Sequence, residues 1–131
     1  MYELWQNRIG ATLWQRPDLY IKNSAVLKAD RVTTPLLMME TKNDGICPFG
    51  NAVEFFTALR RLGKKVWMLQ YDDGNHAVWG KSASDFSVRM AQFFDHYPKG
   101  APAPVWMTEG IPARQKGIED GLDLDHSGKE P

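Results

Sequence analysis

Thr34-Pro35-Leu36-Leu37-Met38-Met39-Glu40-Thr41-Lys42-Asn43-Asp44-Gly45 decides the fold class of this 131-residue chain. The apolar run from Pro35 to Glu40 is too short for a helix. Turn signals bound it on both sides, Thr33-Thr34-Pro35 before and Lys42-Asn43-Asp44-Gly45 after, so it reads as a buried strand. From Gly50 to Leu62, Ala52, Val53, Phe55, Phe56, Leu59 and Leu62 recur at helical spacing, and Gly63 stops that helix. Lys65 to Tyr71 is a second strand, closed by the turn cluster Asp72-Asp73-Gly74-Asn75. Ser82 to Tyr97 reads as a second amphipathic helix, with Phe86, Val88, Met90, Phe93 and Phe94 on its apolar side and Ser82 as N-cap. Two strand-then-helix units imply a parallel pair with a right-handed crossover.

The flanks are less regular. Residues up to about Trp14 form an irregular lead-in, Arg16 to Tyr20 predicts a short helix with Pro17 at its first position, and 23–34 predicts a loop with one helical turn. Residues 98–131 carry five of the eight prolines and no periodicity. Val105-Trp106-Met107 and Ile111-Pro112 are the tail segments suited to docking, and disorder is expected beyond about residue 117. The organisation is therefore a lead-in (1–34), an α/β portion (35–97) and a Pro-rich tail (98–131).

Composition narrows the function classes. A hydrophobic content of 43% with five Trp supports one modest core. Sixteen basic and sixteen acidic residues cancel, leaving no global field to attract nucleic acid or an anionic membrane. No apolar run approaches the roughly 20 residues of a membrane span. Met1 to Asn7 lacks the basic and apolar regions of a signal peptide, and a signal of a longer parent would lie upstream, which leaves cytoplasm and periplasm both open. The single Cys47 excludes an internal disulfide, and its apolar neighbours Ile46, Pro48 and Phe49 argue against a thiolate nucleophile. His76, His96 and His126 show no ligand spacing, so no metal or cofactor is expected. Asp123-Leu124-Asp125-His126-Ser127-Gly128 matches the first six positions of a calcium loop, but the Glu needed at the twelfth would fall beyond Pro131.

The chemistry centres on Asp44 and His76, each just past the end of a strand, where open α/β sheets assemble their sites. A histidine base needs a carboxylate on its far nitrogen to fix the tautomer and stabilise the imidazolium. Acid before histidine, with a nucleophile earlier still, is the chain order of α/β-hydrolases. Each residue alone also fits a plainer role, Asp44 as a turn former in Asn-Asp-Gly and His76 as a solvated loop residue. No serine fits the third position. Ser24, Ser82, Ser84, Ser87 and Ser127 all lack the Gly-x-Ser-x-Gly elbow, and Ser82, nearest in pattern, follows the histidine with no strand leading into it.

The segment Thr34 to Pro48 resembles the stretch of prolyl oligopeptidase family serine peptidases in which Thr-Pro, a hydrophobic strand and usually His-Gly lead to the catalytic Asp. Ala52 to Lys64 resembles that family's next helix, ending in Leu-Gly-Lys. Gly74-Asn75-His76 resembles its catalytic histidine turn, and Arg89 to Tyr97 its closing helix. Asn23 to Val32 is similar to the family's stretch before the strand. Gly100-Ala101-Pro102 and Trp106-Met107 resemble a tail of members related to dipeptidyl and acylaminoacyl peptidases. The likeness runs from about residue 8 to about residue 117. It implies an α/β-hydrolase fold, with Asp44 as orienting acid and His76 as general base. Glu40-Thr41 departs from the usual His-Gly.

The resemblance further implies that a β-propeller, nucleophile elbow and oxyanion-hole strand precede residue 1, so that this chain corresponds to the last third of a catalytic domain. A peptide is then the substrate of the parent enzyme, and the chain alone is inactive, since it lacks the nucleophile and the oxyanion donors. The competing expectation is a noncatalytic module, or a half-domain that assembles with itself or with a partner carrying the serine. Open strand edges and exposed apolar surface favour a homo-oligomer in either case.

Overall fold

A computed structural model describes residues 3, 4 and 8–131. Trp5, one of the five tryptophans, lies outside them. The elements in chain order are α1 (Pro17–Asn23), a kinked 3-10 segment (Val26–Arg31), β1 (Leu36–Thr41), α2 (Phe49–Arg61), β2 (Val66–Tyr71), α3 (Gly80–His96), a one-turn α4 (Val105–Thr108) and a 3-10 turn (Ala113–Gln115).

β1 and β2 pair in parallel, in register from Leu36 opposite Val66 to Thr41 opposite Tyr71. The strand side chains alternate between two cores. Leu36, Met38 and Val66 face the cluster of Ala29 and Leu59, joined by Phe55 and Phe56 of α2. Leu37, Trp67 and Leu69 face the opposite cluster of Phe93, Ala103, Trp106 and Met107. Cover on both faces explains why the strands read as continuous apolar runs rather than alternating patterns. The result is a mixed α/β architecture with helices flanking a two-stranded parallel sheet.

The tail departs from the disorder expected beyond residue 117. It docks at Trp106 and Met107, both buried, with the Trp67 indole donating to the Met107 carbonyl at 3.0 Å. The chain then returns along α3. Arg89 donates to the Asp120 carbonyl at 2.8 Å and Gln92 to that of Leu122 at 2.7 Å. Backbone bonds from Val105 to Asp123 and from Asp125 to Ala103 complete the seam. At φ 64° Gly121 passes Trp106 so closely that a Cβ would sit 3.2 Å from its backbone nitrogen. Buried Arg89 is itself held by Asp85, at 2.8 and 3.0 Å, and stacks over the Trp106 ring. In the calcium-like stretch, Asp125 accepts from Ser127 N–H through one oxygen and from the Thr108 hydroxyl through the other, which makes it a turn braced on α4.

Ser82 also differs from expectation. The helix begins two residues earlier at Gly80, so Ser82 is not the N-cap; its hydroxyl donates to Asp73 at 2.5 Å, tying α3 to the turn after β2.

Leu59 is fully buried between α2 and the sheet, whereas Val53 on the same helix is 37% exposed. Leu59→Ala should cost about 2–5 kcal/mol in urea denaturation, and Val53→Ala no more than about 1 kcal/mol. Equal losses would contradict this packing.

Candidate active site

The parallel register delivers two loops to the same edge of the sheet, because β1 and β2 end opposite each other at Thr41 and Tyr71. Asp44 lies three residues beyond the first strand and His76 five beyond the second. Their side chains meet, with His76 Nδ1 3.0 Å from Asp44 Oδ2.

Local chemistry fixes Asp44 first. Its Oδ1 accepts the backbone N–H groups of Ile46 at 2.7 Å and Cys47 at 2.9 Å, a side-chain-to-backbone turn that Asp-Gly favours. Oδ2 is left for His76. The Asp44 side chain is 7% exposed and that of His76 55% exposed, so the carboxylate is walled in and the imidazole looks outward. The Cys47 N–H bond, followed by the His76 contact, holds the Asp44 carboxyl below its usual range, outweighing the opposing effect of burial. An ionised carboxylate only accepts, so Nδ1 carries the hydrogen and the lone pair of neutral His76 sits on Nε2.

The histidine turn is fixed by two features. Gly74 adopts φ 94°, and a Cβ there would lie 2.5 Å from the Ala77 carbonyl oxygen. No other residue fits that turn without shifting backbone. From the strand side, the hydroxyl of buried Thr41 donates to the Asn75 carbonyl, anchoring the residue before His76 to the end of β1. Thr41 occupies a position where the resembled motif has Gly, and its side chain makes a bond that Gly cannot. Neighbouring Glu40 is raised above the ordinary carboxyl range, first by burial and then by the Asp44 carboxylate, with His76 opposing.

Around the pair lies a small open cleft of about 140 Å³, lined by Met39, Glu40, Thr41, Asp44, Cys47, Asn75 and His76. Asp72, the residue just past β2, bridges Lys42 and Lys116 at 2.8 and 3.1 Å; these two partners hold its pKa at about 2. That exposed bridge links both loops to the tail. None of the serine hydroxyls bonds to His76 among the described residues: Ser82 is engaged by Asp73, Ser84 by Gly80 and Ser87 by Ala83. His96 lies elsewhere, with Nδ1 2.7 Å from the Ala101 carbonyl oxygen. Sequence reasoning missed Thr41 as a positioning residue. The signal was the Glu40-Thr41 pair itself, a hydroxyl-bearing residue at the last position of a buried strand.

The depressed pKa of Asp44 has a definite sign in stability. Its folded value lies below an unfolded value of about 3.9, so its contribution is fully present above that pH and fades as pH falls through the folded value. Asp44→Asn should therefore destabilise the chain at neutral pH. In urea titrations the gap from wild type should close below about pH 4, and a gap that stays constant into stronger acid would contradict the assignment.

Comparison with known proteins bears on the family and the fold. The prolyl oligopeptidase family profile matches residues 1–101. No curated protein matches the chain. Among solved structures, an acylaminoacyl peptidase in complex with Z-Gly-Gly-Phe-chloromethyl ketone is similar, at 27% identity and a TM-score of 0.56 over 60% of this chain. The orthorhombic crystal form of the Pyrococcus horikoshii acylaminoacyl peptidase is similar at 26% identity and a TM-score of 0.56 over 64% of this chain. The matched regions amount to 13% and 14% of the length of those two proteins. With a family match over most of its length and helices around a parallel strand pair like those of its solved relatives, this chain belongs to the prolyl oligopeptidase family of serine peptidases.

Proposed function

We propose that this chain supplies the acid and base of a Ser-His-Asp peptidase site, Asp44 as orienting carboxylate and His76 as general base, and that the serine comes from sequence outside it. What carries the reading is the contact of a shielded carboxylate with one nitrogen of an outward-facing imidazole. In that role, Nε2 takes the proton of a serine hydroxyl as it attacks the scissile carbonyl, then gives it to the leaving amine. Asp44 keeps the imidazole in the required tautomer and stabilises the imidazolium. The two solved relatives are acylaminoacyl peptidases, which makes N-blocked peptides the first substrate class to test.

By itself the chain is inert in this reading. Without serine and oxyanion donors it lacks the largest electrostatic contribution to acyl transfer. A specific observation also favours self-association of the isolated chain. Two paired strands leave outer edges without a strand partner among the described residues, and Leu27, Leu62 and Phe94 stand exposed.

Two experiments test the reading. The purified chain should sediment as an associated species and show no hydrolysis of blocked peptides; a monomer at all concentrations would remove the association, and His76-dependent turnover would remove the inertness. Exchanging the matched segment of the P. horikoshii enzyme for residues of this chain should give a hydrolase that loses about 10⁴-fold in kcat on Asp44→Asn. A folded, inactive chimera, or one indifferent to His76→Ala, would refute the acid and base roles.

A further inference from the structure

We propose that Asp44, Cys47 and His76 form a binding site for a zinc-class divalent cation at the mouth of the cleft. One ligand atom from each residue, a carboxylate oxygen, a thiol sulfur and an imidazole nitrogen, lies within 4.8 Å of the other two. These are the three donor types that zinc takes, and a mixed set selects it over the hard ions magnesium and calcium, which prefer oxygen alone.

The geometry needs little adjustment. Tetrahedral zinc with bonds of about 2.0–2.3 Å sets its ligands roughly 3.3–3.7 Å apart. Oδ2 and Nδ1 already stand at 3.0 Å. The sulfur, within 4.8 Å of a carboxylate oxygen of Asp44 and a ring nitrogen of His76, belongs to an exposed cysteine whose side chain can rotate toward them. Asp44 need not move, since Oδ1 stays bound to the two backbone N–H groups while Oδ2 turns to the ion. The cleft leaves a fourth position open to water.

The ion takes the place of the hydrogen between Asp44 and His76. Nδ1 becomes a ligand, its proton passes to Nε2, and the Cys47 thiol releases one proton to solvent on becoming a thiolate. His76 then has no free lone pair, so an occupied site silences the base. That consequence rests on the acid–base reading above; the binding itself does not.

Zinc titration of the whole chain, followed by calorimetry, tests the site. One ion per chain should bind, magnesium should not compete, and Cys47→Ser or His76→Ala should each weaken binding about tenfold or more, with circular dichroism confirming the fold. Cobalt in place of zinc should give a thiolate-to-metal charge-transfer absorption in the unaltered chain, a readout that needs no variant. Absence of stoichiometric binding, absence of that absorption, or binding that survives Cys47→Ser but is lost in His126→Ala would overturn the proposal. If zinc binds while the chimera is inactive, the metal site stands and the acid–base reading falls; the reverse result removes only the metal site.

Discussion

Everything at the site depends on the in-register parallel pairing of β1 and β2. Parallel strands end at the same edge, so a turn that follows each one meets the other without further architecture. A slip of β1 by one residue would exchange its faces, placing Leu37 against α2 and Met38 against α3. Two separate cores, Leu59 with Val66 on one side and Phe93 with Trp106 on the other, lock the register against that slip. Burial on both faces thus sets the position of two polar loops that contribute almost nothing to the core.

Within that frame the carboxylate is the fixed member and the imidazole the adjustable one. Asp44 has Oδ1 engaged by two backbone N–H groups and Oδ2 by His76, whereas His76 is held through one nitrogen and through the backbone of its turn. Thr41 ties the strand end to that turn, and Gly74 permits its sharp path. A charge-assisted hydrogen bond near protein walls is stronger than one in open water, which suits the orienting role proposed for Asp44. The same rigid oxygen, beside a thiol three residues on, is also what a borderline metal ion would find attractive.

The strands, α2 and α3 were legible because each has a periodicity that burial enforces, and Asp44 and His76 were legible because they follow those elements directly. The less legible parts depend on backbone carbonyls. Arg89 and Gln92 capture the carbonyls of Asp120 and Leu122, and no side-chain pattern in 117–125 announces that. A polar, proline-bearing composition therefore suggested disorder where main-chain bonds hold the tail to α3. Ser82 failed as an N-cap for a related reason. Gly80, at φ 52°, lets the chain enter the helix two residues early, and the serine turns instead to Asp73. Thr41 was visible as a departure from a motif but not as a positioning group, since its bond spans 34 positions of sequence.

The proposed base depends on Asp44 setting the tautomer of His76. Nitrogen-15 and proton NMR of the imidazole, at a pH where the ring is neutral, reads this directly. Hydrogen is expected on Nδ1, with a far-downfield proton slowed in exchange, a bare Nε2, and loss of that signal in Asp44→Asn. A neutral ring protonated on Nε2, or a spectrum unchanged by Asp44→Asn, would contradict it.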